Sequence, residues 1–106
     1  MAQEFLTSVQ LMEVVRKLDY KVQFKVFEAF FNMMIEDGFG DESEMCLRFH
    51  DTFEDINPRF LESSLKELRF AVNDMDNAIY EIDIYEPGLF MRIARRLGVV
   101  INDIIQ

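Results

Sequence analysis

The chain has 106 residues, half of them hydrophobic and 11 of them Phe, with 20 acids against 11 Lys and Arg and a formal net charge of −9. That apolar mass is enough for one domain to bury a core without metal or disulfide staples, and it excludes a disordered acidic tail. A single cysteine, Cys46, excludes an intramolecular disulfide and fits a reducing compartment, so a cytoplasmic location is expected, and Met1 to Leu18, with Glu4 and Glu13, shows neither a signal peptide nor a membrane span.

Thr7 and Ser8 form an N-cap region ahead of Leu11, Met12, Val15 and Leu18, a spacing that predicts a short first helix. Asp19 is placed to cap a second helix over residues 20–37, stopped by Gly38 with Gly40 in the turn. The polar residues Lys21, Lys25, Glu28, Asn32 and Glu36 fall within a stripe about 80° wide, and the rest of that helix is apolar except Gln23. Val22, Phe24, Val26, Phe27, Phe30, Phe31, Met33, Met34 and Ile35 therefore need cover on nearly every side. It can come from the rest of the chain or from a second copy in a homodimer.

A third helix is expected from Asp41 to about Asp55, with Met45, Phe49, Phe53 and Ile56 facing inward. Asn57-Pro58 then reads as a capping residue followed by Pro at the first helical position. From there Leu61, Leu65, Leu68, Val72, Met75, Ile79 and Ile82 recur with gaps of four and three until Pro87-Gly88, which predicts one long helix over 58–85. The stretch YEIDIYE alternates like a strand, but the longer seam outweighs it, and Asp74, Asp76 and Asn77 mark the place for a break if there is one. A last helix, Leu89 to Leu97, is closed by Gly98 and followed by the apolar tail VVINDII. The fold class expected is all-α, a compact bundle of about five helices in a single domain, 1–106, around the central apolar helix.

Three motifs invite chemistry and each has a plainer reading. Ile93-Ala94-Arg95-Arg96-Leu97-Gly98-Val99 resembles the first helix and turn of a DNA-binding helix-turn-helix, with a small residue at the helix contact and Gly at the turn. The residues after Gly98 carry no Lys or Arg and one acid, Asp103, so they offer nothing to phosphates or base edges. The plainer reading is a Gly-capped helix with Arg92, Arg95 and Arg96 near its negative end. Cys46, His50 and Glu54, spaced four apart, share a helix flank, but a structural zinc site wants a fourth ligand that the chain does not supply. A helix interior also offers Cys46 no thiolate-stabilising N-terminus, which argues against nucleophilic catalysis. NDMDNAIYEID places Asp74 and Asp76 like the first calcium ligands, yet Ala78 and Ile79 occupy positions where a calcium loop needs an oxygen donor and Gly. No phosphate-cradling loop or serine elbow appears, so no enzyme activity, metal or cofactor is expected.

The charge is unevenly placed. Residues 36–57 hold eight acids and one base, and residues 73–86 hold five acids and no base. On a continuous helix Asp76 and Asp83 flank the apolar seam while Asp74 and Glu81 point outward; Glu36, Asp37, Asp41, Glu42 and Glu44 surround a loop. Such rows either keep the protein soluble or dock a basic partner through charge complementarity. The functional expectation is a small acidic, non-enzymatic binding protein of the kind phages and immunity systems use. It would inhibit or sequester a basic, nucleic-acid-handling protein through those nine carboxylates, with no direct nucleic-acid or membrane contact. The alternative is an acidic adaptor or secretion chaperone, dimeric or not, whose Phe- and Met-rich helix faces hold an apolar client segment. A regulator with a degenerate helix-turn-helix is the third reading.

Overall fold

The computed structural model describes residues 7–36 and 51–105, and within them every regular element is helical. Helix α1 spans Ser8–Lys17 and helix α2 spans Tyr20–Glu36; helix α3 spans Leu65–Tyr85 and helix α4 spans Pro87–Ile105. Residues 51–55 are also helical, and a 3-10 turn, Leu61–Ser64, leads into α3. The fold is all-α, with α2 packed against α3 and α4 and with α1 laid on α3.

Local chemistry explains the boundaries. Thr7 caps α1: its hydroxyl accepts the Gln10 N–H at 3.2 Å while the Gln10 side chain accepts the Thr7 N–H, closing a capping box. At the other end, the Gln23 amide donates to the Val15 and Arg16 carbonyls at 3.0 and 3.3 Å. These are among the carbonyls a helix end leaves without intrahelical partners. This accounts for the one polar residue outside the α2 stripe. Asp19 starts α2 as expected, its carboxylate accepting the Tyr20 N–H and its carbonyl the Gln23 N–H, both at 2.9 Å.

The core is built on α2. Phe24, Val26, Phe27, Phe30, Phe31, Met33 and Met34 are buried, Val22 is half-buried, and Ile35 is exposed. Phe53 stacks on Phe31 with ring centroids 5.1 Å apart and lies within about 6 Å of Phe24 and Phe27, beside the buried Ile56. Thus two of the four inward residues expected on the third helix take that role; Met45 and Phe49, like Gly38, Gly40 and Asp41, lie outside the described residues. The remaining cover of α2 comes from Leu11, Met12 and Val15 of α1, the α3 seam, and Phe90, Ile93, Leu97 and Ile101 of α4. Most of the apolar demand of α2 is met from within the chain.

Two helices differ in extent from those the sequence implies. Asn57-Pro58 opens a turn instead of an α-helix: the Asn57 side chain accepts the Arg59 N–H, its carbonyl accepts the Phe60 N–H, and Phe60 sits at φ −134°, ψ 61°. An Asn side chain that bonds two residues ahead competes with helix propagation. The regular part of the long helix therefore starts at Leu65, and Leu65 itself is 41% exposed, not in the core as its seam position implies. From there the helix is unbroken through Asp74, Asp76 and Asn77 to Tyr85, taking in all of the YEIDIYE stretch but its last Glu.

The second difference is in α4, which begins at Pro87 and runs through Gly98 and the apolar tail to Ile105. Leu97 and Ile101 are fully buried and Gly98 is buried between them, so burial of the tail outweighs the helix-breaking tendency of Gly. No turn exists at Gly98, and the helix-turn-helix geometry is absent. Arg92, Arg95 and Arg96 consequently sit in the middle of a helix, away from the negative end assigned to them.

Candidate protein-binding surface

Helix α3 has two ladders. One, from Leu68 through Val72, Met75, Ile79 and Ile82, is buried, as its spacing implies. The other lies on the opposite side with the same alternation of four and three: Lys66, Phe70, Asn73, Asn77, Tyr80 and Ile84, all exposed. Phe70, Tyr80 and Ile84 are each more than half accessible, and Tyr85 beyond them is 79% accessible. These large apolar residues left open along one helix face make it the candidate contact surface. This second ladder was legible in the sequence as a repeat offset from the first, and attention to the charges alone passes over it.

The two flanks of that ladder have different fates. On one flank Asp83 accepts the backbone N–H of Ser8 at 2.9 Å, and Asp76 meets Arg16 at 2.6 Å, while Arg16 also donates to Asn73 at 3.2 Å. The expectation that no base is at hand for this block is therefore corrected: Arg16 reaches it from α1, which a count confined to residues 73–86 leaves out. Asp83 occupies the positive end of α1, where a carboxylate is favourable. Both carboxylates are half-buried and engaged within the chain, so their charge is directed at α1.

On the other flank Glu67, Asp74 and Glu81 recur every seven residues. Glu67 and Asp74 are half-buried and Glu81 is exposed. Of the second acidic group, Glu36 pairs with Arg96 at 3.1 Å across α2 and α4, both side chains more than half exposed. Asp37, Asp41, Glu42 and Glu44 lie outside the described residues, as do Cys46 and His50. Of the five carboxylates among the described residues, Glu36 lies on α2 and the other four on two flanks of α3, where Glu81, beside Tyr80 and Ile84, is the exposed acid.

The chain matches no family model, no curated protein and no solved structure.

Away from this face, a groove of about 590 Å³ runs between the start of α2 and residues 58–63, where Phe60 is 66% accessible and Lys21, Lys25 and Arg59 stand around it. One wall is fixed by the Tyr20 hydroxyl, which donates to the Glu62 carboxylate at 3.0 Å. That carboxylate raises the phenol above its ordinary 10.0, first by the hydrogen bond to the neutral form, then by desolvation and the neighbouring negative charges of Glu62 and Asp19. No helix of the described residues is long and apolar enough to cross a membrane.

Proposed function

We propose that the protein is a non-enzymatic binding module that engages a basic protein partner through the outer face of α3. The observation that carries this reading is the exposure of Glu81 within a row of open aromatic and aliphatic residues, on a helix that has no base from Asn73 onward. Acids steer and orient a basic partner, and the buried centre of such an interface is supplied by Tyr and Phe. With Asp76 and Asp83 engaged internally, the row is too short to imitate a phosphate backbone on its own. Docking is therefore mixed, apolar at its centre and acidic at its edge. The partner sequestered or inhibited in this way presents a basic edge, as nucleic-acid-handling proteins do.

A photo-crosslinking residue in place of Asn77 tests the reading in the full chain. The expected product is a covalent complex with a basic protein, lost when Glu81→Lys is added. Complexes that persist unchanged in the Glu81→Lys chain, or that contain only acidic proteins, overturn it. The open Phe70 and Tyr80 also favour a second reading, an adaptor that holds an apolar client segment. High salt separates the two, since a charge-steered complex weakens and an apolar clamp holds.

A further inference from the structure

Charge is segregated on this molecule. Five of its 11 Lys and Arg (Arg16, Lys21, Lys25, Arg59 and Arg69) line two grooves that share Tyr20, against one acid, Glu62, among the described lining residues, so the grooves oppose the −9 of the chain. We infer that these grooves seat an extended acidic segment of a partner protein, its bulky apolar side chains in the grooves and its carboxylates on Lys21, Arg59 and Arg69.

In the larger groove, of about 590 Å³, Lys21 and Lys25 stand one turn apart on α2 and Arg59 belongs to the facing segment, with Phe24, Phe60 and Leu61 also in the lining. Phe60 is two-thirds open to solvent. Lys25 reaches Glu28 only at 4.0 Å, both side chains exposed, whereas Lys21, Arg59 and Arg69 have no ion pair among the described residues. The smaller groove, of about 410 Å³, is lined by Leu65, Leu68 and Val72 together with Arg69 and with Arg16, whose guanidinium is turned to Asp76 and Asn73. Three cations are thus open beside apolar lining.

The hydrogen-bond partners on these walls show what an occupant must bring. Glu62 accepts from the Tyr20 hydroxyl, the Ser63 hydroxyl donates to the Phe60 carbonyl at 2.7 Å, and the Gln23 amide donates to the end of α1. Open cations remain, so the occupant supplies acceptors as well as apolar side chains. The Phe60 and Ser63 N–H groups bond to the Asn57 and Phe60 carbonyls, which closes this backbone against strand addition and leaves recognition to side chains. Two grooves on either side of one tyrosine suit separated side chains of an extended chain better than one compact ligand. A nucleic acid strand fits less well, because a net charge of −9 repels a long polyanion and Leu65, Leu68 and Val72 offer no flat face for bases.

This site stands apart from the one proposed above: it lies at the starts of α2 and α3, whereas Tyr80, Glu81 and Ile84 lie in the last two turns of α3. Either can fail alone. Together they make the chain a bridge between a basic partner and an acidic one.

The test uses the full chain and three panels of short synthetic peptides of equal length. The first panel sets two bulky apolar residues among Asp and Glu at varied spacing, the second has Lys in place of the acids, and the third has Ser in place of the apolar residues. Fluorescence anisotropy should show binding in the first panel and at least tenfold weaker binding in the others. Lys21→Glu combined with Arg59→Glu should weaken the best acidic peptide at least tenfold, which corresponds to about 1.4 kcal/mol, and Phe60→Ala should weaken it as well. Arg92→Glu combined with Arg95→Glu changes the net charge equally at exposed positions outside both grooves and should leave binding unchanged. Backbone amide shifts on titration should map to Lys21, Phe60 and Arg69, and circular dichroism of each variant should match that of the unaltered chain, since all the substituted side chains are exposed.

The inference is overturned if the acidic panel fails to bind, if the three panels bind alike, or if the two pairs of charge reversals have equal effects. An oligodeoxythymidine of matched charge that binds as tightly as the best acidic peptide would make a nucleic acid strand the occupant and overturn it too. So would self-association in sedimentation that Lys21→Glu with Arg59→Glu dissolves, since a second copy would then fill the grooves.

Discussion

The Asp83 carboxylate accepts the backbone N–H of Ser8, fastening the last turn of α3 to the first turn of α1 at 2.9 Å. It is a cap supplied from 75 positions away, in addition to the local one from Thr7. Asp83→Ala should lower stability by about 1–2 kcal/mol, the range for losing a capping or charge-assisted hydrogen bond, and Asp83→Asn should lower it less because an acceptor remains. Glu81→Gln, two positions earlier and solvent-facing, should leave stability unchanged. Chemical denaturation of the three variants checks this, and equal effects at 81 and 83 would contradict the division of labour between the flanks.

Phe27 is fully buried, with Phe31 and Phe53 within 6.5 Å between ring centroids. Phe27→Ala should therefore destabilise by about 3–5 kcal/mol through lost burial and the cavity left behind. Leu65→Ala, at the half-open start of α3, should cost roughly 1 kcal/mol or less. A melting temperature unmoved by Phe27→Ala would place the aromatic cluster outside the core.

Arg16 and Asp76 are 45% and 36% exposed despite their short contact. A double-mutant cycle should give a coupling of about 0.2–1 kcal/mol that shrinks as salt is added. Coupling that is insensitive to salt would mean that the packing of Arg16 against Asn73, and not its charge, secures α1.

Tyr20 sets an alkaline limit. In the folded chain its phenol keeps its proton above the ordinary 10.0 because Glu62 accepts the hydrogen bond. Below that value the phenol is protonated in both folded and unfolded chains, and the contribution to stability is fully present. As pH rises past it the unfolded chain releases the proton first, and the contribution is lost as pH climbs through the raised folded value. Glu62→Gln should shift the Tyr20 titration downward when the ring is followed by NMR, and Tyr20→Phe should flatten this part of the alkaline stability loss.

Much of this architecture can be read from spacing. The apolar wrap of α2, the buried seam of α3 and the Pro87 boundary follow from periodicity and from the missing proline N–H, which are local properties. The failures have non-local causes. Gly98 reads as a stop because its neighbours in sequence say nothing of the packing that keeps Leu97 and Ile101 buried. Asn57 reads as a helix cap until its side chain is seen to close a turn. The acidic row of α3 looks uniform because the sequence places Arg16 and Ser8 far from Asp76 and Asp83. Only the folded chain brings them together and leaves Glu81 different from its neighbours.

The anchoring of α1 also imposes an order on assembly. The helix is synthesised before α3, so Arg16 waits for positions 57 and 60 residues downstream, and Ser8 for one that is 75 residues downstream. Each of these closes a long loop and carries the entropy of doing so, whereas α3 and α4 meet across Glu86 alone, whose N–H ends one helix and whose carbonyl starts the next. On a ribosome, α1 is without its seat, with Leu11, Met12 and Val15 exposed, until the end of α3 emerges.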